Sequence, residues 1–330
     1  MTDGTIKAFR AHRLVGLEAL AVDDAPRPEP GLGEVAVAIE AAGIQLADLA
    51  AISGSRRPVP QLPFMPGLEG AGTVTAMGAD VTSLAAGDRV CAFFPRGSLA
   101  ECAVTAAELA VPLPKQVSAQ TAAALPFAYA GALMSLRGKA RLAQGETLLV
   151  LGAGGLAGLA AVEIGKALGA RVIAAASGEE RAAGAIASGA DHTVDTTAAP
   201  LSESVNALTG GKGADVIFDP VGGDAFQAAL GAGRISARLI VAGFAGGKPG
   251  ELKTDLLYAR DMQLIAGNTL LSLTENPLRA QAALATVVEW AADGKIEPRI
   301  AAKFALKDAR HAFDYVRSHR GSGAVVVTMG

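Results

Sequence analysis

The chain has 330 residues, of which 51% are hydrophobic and 18% charged, and this composition indicates a folded protein with room for two domains. A net charge of −3 and only 4% aromatic residues exclude a strongly basic or base-stacking surface, so we expect neither nucleic acid nor an anionic membrane as a partner. Two cysteines, Cys91 and Cys102, are too few for a disulfide framework or a four-thiolate zinc site, and they favour a cytoplasmic protein with reduced thiols.

The first third of the chain consists of short apolar runs separated by glycine and proline. Alternating apolar and polar residues predict strands at 33–43, 72–76 and 88–92. Asp3 and the lack of an apolar run beside it argue against a signal peptide. Short strands at this spacing predict a small barrel-like β domain.

After Pro114 the pattern changes, and a helix is predicted at 118–136 with Ser118 as its N-cap. From residue 146 onward strands alternate with helices, which implies a parallel sheet covered on both faces. The predicted strands are 146–151, 170–176, 193–194, 214–219, 238–243 and 263–266, with helices at 158–168, 179–188, 202–209 and 225–230, and then a helix at 277–293 and a strand at 323–329. The apolar stretch 147–162 is too short to span a membrane, because Glu146 and Glu163 bound it.

A glycine-rich turn lies at the start of this alternating region, in LLVLGAGGLAGLAAVEIGKALGA at 148–170. Gly152, Gly154 and Ala157 match G-x-G-x-x-G/A, and Gly152, Gly155 and Gly158 match G-x-x-G-x-x-G equally well. One glycine of such a turn permits the tight bend, one lets the backbone approach a pyrophosphate, and one lets the helix pack on the strand. Because a strand precedes the turn and a helix follows it, the motif predicts a dinucleotide site at the helix N-terminus.

The end of the second strand of this region distinguishes NAD from NADP. NAD sites place Asp or Glu there, to accept a hydrogen bond from the ribose 2′-hydroxyl. This chain has Ser177, which accommodates a 2′-phosphate, and Arg181 lies one turn into the next helix, within reach of that phosphate. Glu179 and Glu180 are near and would instead serve NAD. We predict that the cofactor is NADPH.

Several segments, taken in order along nearly the whole chain, resemble the medium-chain dehydrogenase/reductase superfamily. They are PRPEPGLGEVAVAIEAAGI at 26–44, PGLEGAGTV at 66–74, GDRVCAF at 87–93, AAALPFA at 122–128 and ADVIFDPVGG at 214–223. The resemblance implies an α/β protein with a GroES-like β-barrel catalytic domain at 1–122 and 270–330 and a Rossmann doubly wound parallel-sheet cofactor domain at 123–269. It also implies an active-site cleft between the domains and a homodimer that pairs through the last Rossmann strand, near 264–270.

Zinc enzymes of this superfamily carry a cysteine and a histidine at two positions that differ here. The cysteine position is Gln45, in GIQLAD, and the histidine position is Leu68, in PGLE. An amide and an alkyl group do not build the open tetrahedral zinc site that activates an alcohol. The four histidines are scattered along the chain, at His12, His192, His311 and His319. The pattern is similar to the zinc-independent quinone oxidoreductases and enone reductases, in which an amide at the first position lines the pocket.

The chain departs from that branch near the nicotinamide. Gly131 and Leu133 replace a threonine and an aromatic residue of the family, and the loop after Asp48 has Arg56-Arg57 instead of pocket aromatics. Tyr129, two residues before Gly131, is a candidate replacement for the lost aromatic. We read Asp48 and Glu69 as structural residues.

These features predict a zinc-independent oxidoreductase that transfers a hydride from NADPH to a quinone or an α,β-unsaturated carbonyl compound. Negative charge that develops on such acceptors delocalises onto oxygen, where one or two hydrogen bonds stabilise it. One alternative is an alkenal or enoyl-thioester reductase of the same superfamily. The other is a non-catalytic NADPH-binding sensor, and the changes near the nicotinamide favour this second alternative. The predicted catalytic residues are Gln45, Tyr129 and Asn268. The predicted cofactor-binding residues are Gly131, Gly152, Ala153, Gly154, Gly155, Leu156, Ala157, Gly158, Ser177, Arg181, Val221, Gly243, Phe244 and Asn268.

Overall fold

The computed structural model describes residues 4–55, 59–252, 254–318 and 322–330, so that Arg56, Arg57 and His319 lie outside the described residues. The chain divides into two compact units. The first comprises Met1–Ala130, Ser272–Gly294 and Pro298–Gly330, and the second comprises Gly131–Leu271 and Lys295–Glu297. The functional domain bounds expected from the sequence stay a prediction, because compactness does not assign a catalytic or a cofactor role to a unit.

The strands and helices are as follows in chain order. The strands are β1 (Thr5–Ala11), β2 (Leu20–Pro26), β3 (Glu34–Ile44), β4 (Glu69–Met77), β5 (Arg89–Phe93), β6 (Cys102–Ala106), β7 (Ala110–Pro112), β8 (Thr147–Leu151), β9 (Arg171–Ala176), β10 (His192–Asp195), β11 (Ala214–Asp219), β12 (Gly233–Val241), β13 (Gln263–Ala266), β14 (Ile300–Ala305) and β15 (Ala324–Thr328). The α-helices are α1 (Leu46–Ile52), α2 (Ala119–Ala122), α3 (Gly131–Leu133), α4 (Leu156–Ala167), α5 (Glu179–Ala187), α6 (Leu201–Thr209), α7 (Gly223–Ala232), α8 (Thr254–Arg260), α9 (Thr269–Glu275), α10 (Pro277–Ala292) and α11 (Ala309–Arg317). In the described ranges, none of these helices combines the length and the apolar character needed to cross a membrane.

The first unit is built on a mixed sheet in which β3 is the central strand. The strand order is β14-β15-β3-β4-β5-β7, with β6 also paired to β3, and β1 pairs with β2 in a separate antiparallel ribbon. Alternate residues of β3 enter the core, among them Val35, Val37 and Ile39, each at most 4% exposed. From α11, Phe313 stacks on Phe9 of β1 with ring centroids 5.9 Å apart. The predicted barrel-like β domain is confirmed.

The second unit is a doubly wound parallel sheet. Its strand order is β10-β9-β8-β11-β12-β13, and every pairing in it is parallel. Counting β8 as the first strand, the order reads 3-2-1-4-5-6, which is that of the Rossmann fold. The carboxyl ends of the strands meet at one edge of the sheet, where ligands bind in folds of this type.

The prediction of a regular helix at 118–136 is wrong for the interior of this segment. Ser118 caps α2 as expected, since its hydroxyl accepts a hydrogen bond from Thr121 N over 3.1 Å. The segments Leu125–Ala130 and Met134–Lys139, on either side of α3, are π-helical. Pro126 lacks an N–H and its ring crowds the carbonyl four residues earlier, so a wider turn accommodates it.

Two strands at the start of the chain escaped sequence prediction. The paired β1 and β2 carry charged residues on their exposed side, where Arg10 bonds Asp23 over 2.7 Å and Lys7 pairs with Asp24 over 2.8 Å. The charges interrupt the apolar pattern, so only cross-strand pairing shows that these segments are extended.

Candidate active site

The glycine-rich turn joins β8 to α4 in the second unit. Gly152 has a left-handed φ of +57°, which permits the sharp bend after β8. A Cβ on Gly158 would lie 2.7 Å from Ala153 Cα and 2.8 Å from the carbonyl carbon of Gly152, both backbone atoms. The lack of a side chain at Gly158 therefore lets α4 pack directly on the turn.

The N-terminus of α4 is open to a ligand. Its N-cap, Gly155, is exposed and has no side chain to accept hydrogen bonds from the first turn, which Leu156 and Ala157 begin. Ala153 is fully buried, and its N–H donates to Ala175 O over 3.0 Å, so this N–H is not available to a ligand. The N–H groups of the first turn and the positive end of the helix dipole suit a phosphate.

Ser177 and Arg181 lie together beyond the carboxyl end of β9. Arg181 Nη1 donates to Ser177 Oγ over 3.2 Å. The aliphatic part of Arg181 fills the space in which Gly154 would carry a Cβ, since that atom would lie 2.6 Å from Arg181 Cγ. The guanidinium is thereby held beside the glycine-rich turn, together with a hydroxyl. Glu179 and Glu180 are exposed in the first turn of α5.

Two further loops meet the glycine-rich turn at the same edge of the sheet. A Cβ on Gly152 would lie 2.7 Å from Val221 Cγ2, in the loop after β11. Val221 O accepts a hydrogen bond from Gly246 N over 2.8 Å, in the loop after β12. That second loop also carries Gly243 and Phe244, whose ring is 53% exposed. Val221 thus lies against the predicted dinucleotide turn, and Gly243 and Phe244 lie against the loop that carries Val221.

Asp219, which is not among the site residues predicted from the sequence, holds the first of these loops. It is fully buried at the end of β11, and its Oδ1 accepts hydrogen bonds from Val221 N (2.8 Å) and Gly222 N (2.9 Å). Oδ2 has no hydrogen-bond partner among the described residues. Burial raises the pKa of Asp219 above its usual value, although the two backbone donors oppose this shift. An acid directly after the apolar run VIF at 216–218 is the signal that could have been used in the sequence.

Gly131 packs against the chain that follows β13. A Cβ on Gly131 would lie 2.5 Å from Thr269 Oγ1, so this hydroxyl fills the position from which a side chain at 131 would project. The hydroxyl of Thr269 thus lies beside position 131, where the resemblance implies a threonine, and no local sequence pattern predicted this contact. Asn268 lies beside it, and its Oδ1 accepts from Leu271 N over 3.1 Å, which caps the first turn of α9.

Gln45 is the N-cap of α1 in the first unit and lies between two buried carboxyl groups. Its N–H donates to Asp48 Oδ2 over 2.9 Å, and its side-chain Nε2 donates to Glu69 Oε1. Asp48 Oδ1 accepts from Gly67 N over 2.9 Å. Gln45 is 9% exposed, whereas Asp48 and Glu69 are fully buried. Asp48 therefore ties together the two loops that carry Gln45 and Gly67.

Glu69 has no cationic partner among the described residues. Its Oε2 accepts from Phe127 N over 2.7 Å. Burial raises the pKa of Glu69 to about 8, an effect that the hydrogen bonds from Phe127 and Gln45 oppose and the negative charge of Asp48 reinforces. Glu69 is therefore a buried carboxyl group whose pKa lies well above the usual range.

Leu68 and Tyr129 complete the predicted positions of the first unit. Leu68 is 2% exposed, and Tyr129 is 0% exposed, so solvent does not reach its hydroxyl in this structure. Within the ranges described above, no group of three or more His, Cys, Asp and Glu side chains is arranged to hold a metal ion. Whether the protein functions without zinc stays a prediction that rests on the identities of Gln45 and Leu68.

Two family models match the chain. Residues 31–115 match the alcohol dehydrogenase GroES-like domain, and residues 157–290 match the model described as zinc-binding dehydrogenase. The first segment contains Gln45 and Leu68, and the second begins at Ala157, near the end of the glycine-rich turn.

Individual proteins are similar over nearly the full length. Quinone oxidoreductase-like protein 2 of Bos taurus is 34% identical over 306 residues, which cover 92% of this chain and 87% of the relative. The quinone oxidoreductase of Pseudomonas syringae pv. Tomato DC3000 superposes with a TM-score of 0.91 at 31% identity, covering 98% of this chain and 100% of that one. A mycobacterial protein solved in complex with NADPH superposes with a TM-score of 0.91 at 28% identity and the same coverage. The chain therefore belongs to the quinone oxidoreductase-like branch of the medium-chain dehydrogenase/reductase superfamily, and its broad class is that of an oxidoreductase served by a nicotinamide cofactor.

Proposed function

We propose that the protein is a zinc-independent, NADPH-dependent reductase of quinones or other α,β-unsaturated carbonyl compounds. The observation that carries this proposal is the buried amide of Gln45, bonded to Glu69, at the position where zinc relatives have a thiolate. Leu68 supplies only an alkyl group at the imidazole position. An amide can donate a hydrogen bond to a developing oxyanion, but an amide and an alkyl group are poor zinc ligands.

The choice of NADPH is supported by the contact between Ser177 and Arg181 at the end of β9. A guanidinium and a hydroxyl recognise a 2′-phosphate, which a carboxylate at the same place would repel. The glycine-rich turn and the first turn of α4 would hold the pyrophosphate. When bound, NADPH supplies the hydride, and the chain supplies position and hydrogen bonds.

Three side chains are proposed as donors to the acceptor oxygen, and they differ in accessibility. Gln45 ranks first, because its amide is fixed by Glu69 and is not fully enclosed. Asn268 caps the first turn of α9 with its Oδ1, and the donor atom of this side chain is Nδ2. Tyr129 ranks last, because its ring is fully buried.

An acceptor screen tests the reaction. NADPH absorbance is followed with 1,4-benzoquinone, 2-cyclohexen-1-one, 2-hexenal and crotonyl-coenzyme A, and with ethanol and NADP⁺ in the reverse direction. We expect turnover with at least one conjugated acceptor and none with ethanol. Tight NADPH binding without turnover of any acceptor would refute this proposal and would support a non-catalytic NADPH sensor. In parallel, elemental analysis should find no stoichiometric zinc, and one firmly bound zinc ion per chain would refute the zinc-independent assignment.

We also propose that the protein forms a homodimer through β13. Within the described residues β13 pairs only with β12, so its other edge is open. Large apolar side chains on β13 and on the helices before and after it in the chain are exposed, including Leu264 at 41%, Leu271 at 55% and Tyr258 at 91%. An open strand edge with apolar side chains favours pairing with a second copy of the same strand.

A further inference from the structure

Thr269 carries a hydroxyl that none of the roles proposed above uses. A Cβ on Gly131 would lie 2.5 Å from Thr269 Oγ1, so this oxygen lies against the bare backbone of the glycine. Thr269 is half-buried, and in the described parts of the chain its hydroxyl forms no hydrogen bond. A hydroxyl has one donor hydrogen and two acceptor lone pairs. The group therefore keeps its hydrogen-bonding capacity for a ligand.

The segment that places this hydroxyl follows β13, and its residues 266–269 are named here the strap. Gly267 of the strap donates its N–H to the carbonyl oxygen of Val241, the last residue of β12, over 2.8 Å. A Cβ on Gly267 would lie 2.9 Å from Ile240 Cγ2 and 3.1 Å from Ser135 Oγ, so a larger residue would be crowded there. The strap is therefore fixed at the carboxyl end of β12 and touches the helical segment that contains Ser135.

The strap meets this helical segment, residues 131–139, along one side. Lys139 Nζ donates to Ala266 O over 2.7 Å, while Ser135 and Gly131 contact later residues of the strap. These three residues of the segment are four apart, so they lie on one side of it. The segment begins with α3, which packs on α4, the helix that starts at the glycine-rich turn. The strap therefore connects the carboxyl edge of the sheet to a helix that packs on α4.

The strand order relates the two halves of the sheet to the two halves of a dinucleotide. In this fold the first three strands take the adenosine half, and its ribose lies beyond the second strand. Here these strands are β8, β9 and β10, and the contact of Ser177 with Arg181 lies beyond β9. The second mononucleotide-binding half consists of β11, β12 and β13, so their carboxyl ends suit the nicotinamide half. The strap lies at these ends.

We propose that Thr269 is a cofactor-binding residue whose hydroxyl forms a hydrogen bond with the carboxamide of the nicotinamide. The carboxamide has a carbonyl oxygen and an NH₂ group, and a hydroxyl pairs with either. Thr269 fits this role because its hydroxyl is unpartnered in the described parts of the chain, is placed by a fixed strap and lies at the nicotinamide half of the sheet. The inference rests on the nicotinamide cofactor of the proposed function and is independent of the acceptor that is reduced.

Calorimetric titration with NADPH and with 2′-phospho-ADP-ribose, which lacks the nicotinamide, tests this contact without turnover. Thr269→Val keeps the branched shape but lacks the hydroxyl, so it should weaken NADPH about 3- to 10-fold, as one lost hydrogen bond does. The same variant should bind 2′-phospho-ADP-ribose within about twofold of the wild type. Thr269→Ser keeps the hydroxyl and should restore NADPH binding. Unchanged NADPH affinity in Thr269→Val, or equal losses for both ligands, would overturn the proposal.

Two control variants of the second unit accompany these titrations. Thr193→Val removes the hydroxyl of another half-buried threonine, in the middle of β10, and should leave both affinities unchanged. Arg181→Ala should weaken both ligands, since both carry the 2′-phosphate. A loss of NADPH affinity in Thr193→Val as large as in Thr269→Val would contradict a specific contact of Thr269.

Moving the hydroxyl to the other side of the contact separates its role from any effect of residue 269 on folding. Thr269→Ala removes Oγ1, and the remaining Cβ would lie 3.5 Å from a Cβ at position 131, which is an ordinary packing distance. The double variant Gly131→Ser/Thr269→Ala therefore places a hydroxyl beside the vacated space, and it should recover most of the NADPH affinity that Thr269→Ala loses. A double variant that binds no better than Thr269→Ala would contradict a contact made by the hydroxyl itself.

The outcome is separable from that of the proposed function. If the wild type binds NADH rather than NADPH, titrations with NADH and ADP-ribose make the same comparison. A selective loss in Thr269→Val together with a failed acceptor screen would reject only the proposed reaction. Turnover in the screen together with unchanged cofactor affinity in Thr269→Val would reject only the role of Thr269.

Discussion

The side chain of Arg181 connects two features that the sequence presents as separate. Its aliphatic part occupies the space left by Gly154, and its guanidinium bonds Ser177. A glycine expected to admit a pyrophosphate therefore also positions the cation proposed for the 2′-phosphate. Single substitutions here should separate NADPH from NADH.

Arg181→Ala should weaken NADPH binding by about 10- to 150-fold and leave NADH nearly unaffected, because a charge-assisted contact contributes about 1.5–3 kcal/mol. Ser177→Asp should shift the preference towards NADH by repelling the phosphate. Fluorescence titration with both cofactors measures these effects. Arg234→Ala is the control, since Arg234 pairs with Asp215 over 2.8 Å outside the proposed site. If Arg181→Ala weakens the binding of NADPH and NADH equally and only slightly, the phosphate contact is ruled out.

Glu69 should also make the stability of the protein depend on pH. Its pKa rises from 4.5 in the unfolded chain to about 8 in the folded protein, so between these values the folded state holds a proton that the unfolded state has released. The free energy of unfolding should therefore decrease as pH rises through this window, by about 1.4 kcal/mol per unit for this group. Urea unfolding is measured at about pH 5.5 and at about pH 7.5. The decrease in the free energy of unfolding between these two pH values should be larger by roughly 2–3 kcal/mol in the wild type than in Glu69→Gln. Equal losses in both proteins would contradict the assignment.

The turn between β8 and α4 shows how one short motif combines a folding requirement with a binding requirement. Gly158 is enclosed by backbone atoms of the turn, whereas Gly155 is exposed and the nearest atom to a Cβ there would be Gly152 O at 3.6 Å. The two glycines of the same motif should therefore respond differently to an added methyl group.

Gly158→Ala should destabilise the second unit by about 1–3 kcal/mol or more, because its methyl group would overlap immobile backbone. Gly155→Ala should keep the melting temperature of the wild type but weaken NADPH, because the methyl group would stand at the open end of α4 where we place the pyrophosphate. Differential scanning calorimetry and cofactor titration of both variants measure the two effects. A melting temperature lowered equally in both variants would be inconsistent with this division of roles.

The sheet of the second unit ends in β13, and this edge bears on how the whole protein assembles. The strand is short and none of its four residues is buried, although the paired segment of its neighbour β12 includes the buried Leu239 and Ile240. A sheet that stops at such a strand exposes both backbone hydrogen-bonding groups and apolar side chains.

Leu264→Lys should convert the proposed dimer into a monomer, because it places a charge on the edge through which two copies would pair. Sedimentation velocity measures the mass of both proteins. Leu32→Lys is the control, since Leu32 is 79% exposed in a loop of the first unit. A wild-type protein that sediments as a monomer, or a Leu264→Lys variant that remains a dimer, would refute pairing through β13.

Local patterns in the sequence determined much of the fold. The alternation of apolar strands and amphipathic helices from residue 146 predicted the parallel sheet, and β11 and β13 begin and end at the predicted residues. Periodicity works here because the central strands β8, β9 and β11 are almost entirely buried, so that they form continuous apolar runs in the sequence. The glycine-rich turn could also be predicted from the sequence, because the residues that it requires lie within one strand, one turn and one helix that follow each other in the chain.

Contacts between distant parts of the chain decided the rest. The partnership of Gln45 with Glu69 and Phe127, and the placement of Thr269 against Gly131, join residues far apart in sequence. No local sequence pattern predicts such pairs, because the burial and the charge environment of each residue depend on distant residues that folding places next to it. Residue types and spacing therefore predicted a dinucleotide-binding oxidoreductase, whereas only the tertiary structure revealed a buried carboxyl group behind the proposed catalytic amide.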